Sequence, residues 1–251
     1  MLASGSSGNC TFLSTGRTRI LVDAGLSRKE ILARLAAIGE APEKLDAILI
    51  SHEHSDHIAG LPRLAAKLAI PIFLTDRTAP AIDWSESKAT VEPFQAGHRL
   101  SIGDLDVDTF TIPHDAADPV GFTFHTQGLK LGLVTDLGYI PASVRFHLRG
   151  TDMLILESNH DLEMLKVGPY PWAVKQRVMG RNGHLSNEVV SEFIRNDLDT
   201  TTSVLVLGHL SEHNNHPELV RRAASQALEG RALFTRLVVA EPRQQTEVFR
   251  F

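Results

Sequence analysis

The 251-residue chain is 43% hydrophobic and 22% charged, a composition that supports a packed core and excludes a low-complexity or disordered protein. A formal charge of −5 argues against broad electrostatic wrapping of nucleic acid, which rests on phosphate neutralisation by Lys and Arg. The single cysteine, Cys10, excludes an internal disulfide and a cysteine-based zinc knuckle, so any metal site must use nitrogen and oxygen. The stretch MLASGSSGNC has neither the basic flank nor the apolar segment of a secretory signal, and no apolar run approaches the ~20 residues needed to span a bilayer. A cytoplasmic protein without membrane association is expected, and with no linker or repeat in view residues 1–251 are expected to form one domain.

Short strands are predicted at Cys10 to Ser14 and Arg19 to Asp23, joined as a hairpin by the turn-like TGR. In SRKEILARLAAIG, Ser27 and Glu30 make a capping box, Ile31, Leu32, Leu35 and Ile38 form an apolar stripe, and Gly39 stops the helix. Asp46 to Ile50 reads as a strand that runs into SHEHSDHIAG, after which Ile58, Leu61, Leu64, Ala65 and Leu68 recur at helical spacing. PIFLT is a further strand, followed by a β-rich section from about Val91 to Asp136 with Gly-containing turns. Helix and strand then alternate: a helix at Pro141 to Leu148, the strand DMLILE, helices across Asp161 to Asp197, the strand SVLVLG, a helix after Pro217, and strands at RLVVAE and TEVFRF. This order suggests two packed sheets with helices outside, an α/β fold of the αββα sandwich type.

His52, His54, Asp56 and His57 satisfy H-x-H-x-D-H on a strand-to-helix loop. At this chain's own His and Asp frequencies such a string arises by chance in about one chain per thousand of this length. Imidazoles two residues apart on extended backbone can point to one side, and the adjacent Asp56 and His57 can turn to a second centre. Four ligands are too few for two ions that each keep a place for water, so further His or Asp must come from elsewhere. His114, Asp136 and His209 each end a predicted strand; taken singly each reads as a surface or core residue, and together they form a consistent set.

With those residues in place the chain resembles the metallo-β-lactamase-fold hydrolases, whose ligand order is HxHxDH, His, Asp, His. The resemblance implies that His52, His54 and His114 hold one metal, that Asp56, His57 and His209 hold a second, and that Asp136 bridges them. Two divalent ions, Zn²⁺ or Mn²⁺, are implied, with a shared water as nucleophile and Asp56 counted among the catalytic residues. The second histidine of the motif, His54, departs from the flavodiiron branch, which has glutamate there, so hydrolysis rather than redox chemistry is expected. Paired metals alone leave phosphodiesters, lactams, lactones and thioesters open.

Glu157 at the end of DMLILE and His184 in GHLSN resemble the proton relay of tRNA 3′-processing nuclease and its relatives, where Glu157 would orient His184 and His184 would protonate the leaving oxygen. HLSEHNN resembles the last motif of the nucleases in this superfamily, placing Ser211, His213 and Asn214 near a phosphate. LASGSSGNC, SHEHSDH, IPHDAADPVGF, LVTDLG, LESNHD and GPYP with GHLSN together are similar to the bacterial YycJ (WalJ) branch. That similarity implies a metal-dependent 5′ to 3′ exonuclease with a DNA end as substrate. From Met164 to Asn187 there are four cations, Lys166, Lys175, Arg177 and Arg181, and no acid. Lys175 and Arg181 are then expected beside the nucleic acid, with Tyr170 and Trp172 stacking on bases or packing in the fold. No insertion corresponds to the tRNA-gripping arm of RNase Z or to the extra domain of the RNase J relatives. The competing readings are a hydrolase of a small cyclic phosphodiester or lactone, and a metal-stabilised scaffold that catalyses nothing.

Overall fold

The computed structural model describes residues 1–85, 89–231 and 234–251. The chain begins with the antiparallel hairpin β1 (Thr11–Ser14) and β2 (Arg19–Val22), then α1 (Arg28–Ala37), β3 (Ala47–Leu49), α2 (Ser55–Ile58), α3 (Leu61–Leu68), β4 (Pro71–Thr75) and β5 (Thr90–Phe94). These strands make one sheet in the order β1-β2-β3-β4-β5, parallel from β2 onward. Pro93, which has no N–H for a ladder, lies in β5 at the sheet's edge.

The second sheet is built from β6 (Arg99–Ile102), β7 (Leu105–Thr111), β8 (Val120–Thr126) and β9 (Leu129–Val134), followed after α4 (Ala142–Leu148) by β10 (Met153–Glu157). Helices α5 (Leu162–Val167), α6 (Trp172–Val178) and α7 (Asn187–Asn196) precede β11 (Val204–Gly208), and α8 (Pro217–Glu229) precedes β12 (Arg236–Val239). Its order is β12-β11-β10-β9-β8-β7-β6, antiparallel from β6 to β9 and parallel from β9 to β12.

The period-two alternation of side chains sorts the strands into layers. Ile20, Val22, Ala47 and Leu49 of the first sheet meet Val107, Phe122, Met153, Ile155, Val204 and Val206 of the second in a core between the sheets. Their neighbours Leu21, Ile48, Ile72 and Leu74 point the other way, onto Ile31 and Leu35 of α1 and Leu61 and Leu64 of α3. Leu154, Leu156, Leu205 and Leu207 likewise face Val144 of α4, Phe193 of α7 and Val220 of α8. Strands buried on both faces must be apolar throughout, which is why AIL and MLILE read as unbroken runs. The fold is the expected αββα sandwich. Ser51 O also accepts from Val120 N at 3.1 Å, tying the end of the first sheet's central strand to the start of β8.

Local expectations needed three corrections. Ser27 caps α1 by accepting from Glu30 N at 3.3 Å, and Gly39 takes a φ of +79° just past the helix end, but the Glu30 carboxylate pairs with Arg34. The apolar spacing from Ile58 to Leu68 belongs to two helices, because Gly60 lies against the Leu26 carbonyl, where a Cβ would come within 2.0 Å, and Pro62 starts α3 afresh. TEVFRF alternates like a strand but joins neither sheet. Thr246 N donates to Met1 O at 3.0 Å and Phe249 packs onto the core between the sheets, so the segment is held by one backbone hydrogen bond and side-chain packing rather than by a ladder.

Candidate metal centre

The site residues follow the carboxyl ends of strands from both sheets. Asp23 follows β2, the run His52 to His57 follows β3, His114 comes after β7, Asp136 after β9, Glu157 closes β10, and His209 follows β11. Open sheets with parallel strands offer ligand positions at this edge. Three of these residues take left-handed backbone: Asp23 at φ 61°, Asp136 at 63° and His209 at 55°. Such a conformation costs a non-glycine residue of order 1 kcal/mol, and each is pinned by a hydrogen bond to its own N–H. Leu49 O accepts from Asp23 N at 2.8 Å, Glu157 Oε2 from Asp136 N at 2.5 Å, and Ser4 Oγ from His209 N at 2.6 Å.

The seven expected ligands converge in two groups. His52, His54 and His114 form one, and Asp56, His57, Asp136 and His209 the other; within each, one candidate ligand atom per residue lies within 4.8 Å of all the rest. The groups adjoin, the His52 and His57 ring centroids being 4.1 Å apart. Asp136 reaches across: Oδ2 is 3.2 Å from His57 Nε2, while Oδ1 is 3.4 Å from His209 Nε2 and 3.9 Å from His114 Nε2. Each group draws side chains from both sheets.

Hydrogen bonds to the far side of each ring select the nitrogen left for a ligand. His57 Nδ1 donates to Asp23 Oδ2 at 2.8 Å and His114 Nδ1 to Gly183 O at 3.3 Å, turning Nε2 of both toward the ligand groups. His52 Nδ1 lies 3.0 Å from Ser51 Oγ, and its buried Nε2 has no hydrogen-bond partner among the described residues. His114 Nε2 and His54 Nδ1 face each other at 3.2 Å. Lone pairs so close repel unless a proton or a cation stands between them. Burial lowers the His52 imidazole well below its ordinary value and lowers His114 as well, so the neutral, ligand-competent form of each ring is favoured. Burial pushes the Asp136 carboxyl up, but His209 and His57 outweigh it and hold the group well below the carboxylate range. Burial pulls His57 and His209 down, but the Asp136 charge outweighs it and raises both, so the carboxylate is balanced by protons that a divalent metal ion would displace, and mixed nitrogen and oxygen donors suit such an ion.

Glu157 is fully buried and saturated. Oε2 accepts from Asp136 N and, at 3.1 Å, from Leu137 N, while Oε1 accepts from His184 Nδ1 and Leu185 N, both at 3.0 Å. Although Glu157 and His184 also lie within ligand distance of Asp136 and His209, four N–H donors leave this carboxylate committed to orienting its neighbours. Burial pulls the His184 imidazole down, but the Glu157 charge and hydrogen bond, with Asp136 and Asp56, carry it up to about 9. In the metal-free protein these contacts favour the charged ring at neutral pH. Its ring stands 5.3 Å from that of His114 and 5.4 Å from that of His209, one member of each group.

The expected substrate contacts divide. Arg181 is exposed, with its guanidinium 4.3 Å from the Tyr139 ring centroid, and His213 is exposed with its ring 6.0 Å from Tyr170. Ser211 is buried; its Oγ accepts from Asn214 N and Nδ2, so only its hydroxyl hydrogen is left to offer. Two expectations are corrected. Asn214 is buried, with its amide on Ser211 and its Oδ1 against Gly168, and so faces the fold rather than a phosphate. Lys175 is also buried, its ammonium captured by the Lys166 carbonyl at 2.6 Å. Arg177 reaches Asp115, the neighbour of His114, and Lys166 pairs with Glu163, so the basic stretch is largely partnered. Trp172 remains 63% exposed and Val167 85% exposed.

Several residues here escaped the sequence reading. Asp23 orients His57, and Ser51 links Asp23 to His52. Asn159 ties two loops together: its Nδ2 donates to His209 O at 2.9 Å, its N–H to Leu185 O at 2.9 Å, and its carbonyl accepts from Ser211 N at 2.8 Å. Asp23 had a legible signal, a carboxylate directly after the apolar run ILV, much as Asp136 follows LGLV by one residue more.

An αββα sandwich with paired His/Asp groups at the strand ends defines the class of metal-dependent hydrolases with the metallo-β-lactamase fold. The chain belongs to this family: the beta-lactamase superfamily domain matches residues 18–210. Among curated proteins it is 41% identical over 224 residues to the exodeoxyribonuclease WalJ of Streptococcus pneumoniae, covering 87% of this chain and 83% of that protein. It is 38% identical over 232 residues to the exodeoxyribonuclease YycJ of Bacillus anthracis, covering 91% and 88%. The fold also matches the metallo-beta-lactamase fold protein YhfI of Bacillus subtilis, with a TM-score of 0.73, 19% identity, and coverage of 96% and 93%. Among the described residues no helix is long and apolar enough to cross a membrane.

Proposed function

We propose that this protein is a nuclease that holds two divalent ions and shortens DNA from its 5′ end. The observation that carries the reading is the position of His184, its ring fixed by Glu157 beside both ligand groups, where it can serve as a proton donor to a leaving group. The exodeoxyribonuclease relatives favour DNA among the phosphodiesters. His52, His54 and His114 would hold one ion, and Asp56, His57 and His209 the other, with Asp136 between them. Bound there, the ions would supply positive charge at the phosphoryl oxygens and lower the pKa of water to near neutrality.

The chain's own groups do the rest. Glu157 keeps the Asp136 backbone and the His184 ring in fixed register. His184, held by Glu157, donates a proton to the leaving 3′ oxygen as the P–O bond breaks. Trp172 and Tyr170, on and just before α6, offer aromatic faces to unpaired bases, and Arg181, His213 and the Ser211 hydroxyl stand as further donors.

The experiment is digestion of matched single- and double-stranded DNA and RNA, labelled at either end, with Mn²⁺ or Zn²⁺. Stepwise release from the 5′ end of DNA that vanishes in Asp56→Ala is expected. Turnover of bis-p-nitrophenyl phosphate without release of any nucleotide would replace this reading with a small-ester hydrolase. His184→Ala should slow DNA cleavage far more than cleavage of an activated aryl ester, and equal losses would remove the proton-donor role.

A further inference from the structure

Asn9 lies in the turn that follows Leu2, is 4% exposed, and is tied to the second ligand group from 47 residues away. Its carboxamide has a defined orientation. Gly5 N donates to Oδ1 at 2.9 Å and Nδ2 returns a hydrogen bond to Gly5 O at 3.2 Å. The other hydrogen of Nδ2 is therefore directed at Asp56 and His57: Nδ2 lies 3.2 Å from Asp56 Oδ2, 3.4 Å from Asp56 O and 3.0 Å from His57 Nε2. The backbone follows the same course, Asn9 N donating to Asp56 O at 2.7 Å and Gly25 N to Asn9 O at 2.8 Å.

These are the atoms that face the rest of the group. Asp56 Oδ2 is 3.5 Å from His209 Nε2, and His57 Nε2 is 3.2 Å from Asp136 Oδ2. Because Asp23 occupies His57 Nδ1, Nε2 is the ring atom left for a metal, and the Asn9 amide lies beside it. We propose that Asn9 is a positioning residue for this second metal position: its amide presets Asp56 and His57 for a cation and, being neutral where a carboxylate of the same shape would fit, limits the negative charge that group presents. The His52, His54 and His114 group has no contact with Asn9 among the hydrogen bonds described, so the two positions should differ in affinity through this side chain.

The two roles give opposite signs on substitution. Asn9→Ala removes the preset and should weaken binding at the second position by roughly 10 to 100-fold, the usual effect of losing an outer partner of a ligand. Asn9→Asp places an anion on the same atoms and should tighten it by at least roughly 10-fold, because an added opposite charge within 4 Å strengthens cation binding. Neither change should move the first position. The inference rests on the two-ion reading of the site. Stepwise titration of the metal-free protein with Co²⁺, read by its visible absorption bands and by chelator competition, separates the outcomes. One Co²⁺ per chain in every form overturns the two-ion reading itself. Two Co²⁺ with the second constant lowered by both substitutions, or with both constants moving together, overturns only the role of Asn9. If Asn9→Asp does not fold without metal, it is prepared with Mn²⁺ bound and compared with Asn9→Ala by chelator competition, where tighter retention than the unsubstituted protein is required.

Discussion

Replacing Glu157 by Gln keeps the shape of the side chain and removes one charge and one acceptor oxygen. Each carboxylate oxygen now receives two N–H groups, Asp136 and Leu137 on one side and His184 and Leu185 on the other. A carboxamide must turn its NH₂ toward one of these pairs, losing two charge-assisted hydrogen bonds at about 1.5 to 3 kcal/mol each. The fold should therefore lose roughly 3 to 6 kcal/mol, a large part of an ordinary domain's stability. His184 reports the change separately. Displacement of its imidazole from 6.5 to about 9 corresponds to about 3 kcal/mol in favour of the charged ring, most of it against the pull of burial and owed to Glu157. Because the folded value is raised, that contribution is complete below pH 6.5 and disappears as the pH climbs through 9. The assay is a titration of ¹³C-labelled histidine by NMR on metal-free protein, with urea denaturation at both ends of that pH window. Over the window the unsubstituted protein should lose about 3 kcal/mol more than Glu157→Gln. A folded Glu157→Gln in which His184 still titrates near 9 would refute the pairing as the cause.

Two further outcomes follow from close packing around the site. Burial, reinforced by the Asp23 charge, pushes the Cys10 thiol far above its ordinary value, so Ellman's reagent should label it at least about a thousandfold more slowly in native protein than in urea, and prompt labelling of native protein would contradict its placement. Gly25 lies so close to the Asp56 backbone that a Cβ would fall 1.6 Å from the Asp56 carbonyl oxygen, so Gly25→Ala should cost more than about 4 kcal/mol, and an unchanged melting temperature would rule out that contact.

The ligands were legible because the first four form one dense motif and the others lie just beyond apolar runs: a His or Asp within two residues of AILI, LGLV or VLVLG is visible in one dimension. Asp23 has the same signature but was absorbed into the strand it terminates. Asn9 had no signature, since a polar residue in a Gly-Ser turn shows nothing of Asp56 until the chain is folded. Lys175 was misread because charge pattern says that an ammonium is present but not where its flexible stem carries it, and here the Lys166 carbonyl lies within reach. TEVFRF failed for the opposite reason. Its alternation is that of a strand, but a strand also needs a partner edge, which composition does not reveal.

Because each ligand group joins loops from one sheet to loops from the other, a bound ion acts as a rivet through the sandwich as well as a reactive centre. Loading and sheet cohesion are then thermodynamically linked. Whatever ions add to the folded state, by RT ln(1 + [L]/Kd) for each position, is subtracted when the layers part. A cavity made at Phe122, in the middle of the apolar layer and outside the ligand set, should accordingly speed metal loss, so that the grip on the ions reports on how firmly the two halves of the protein are closed.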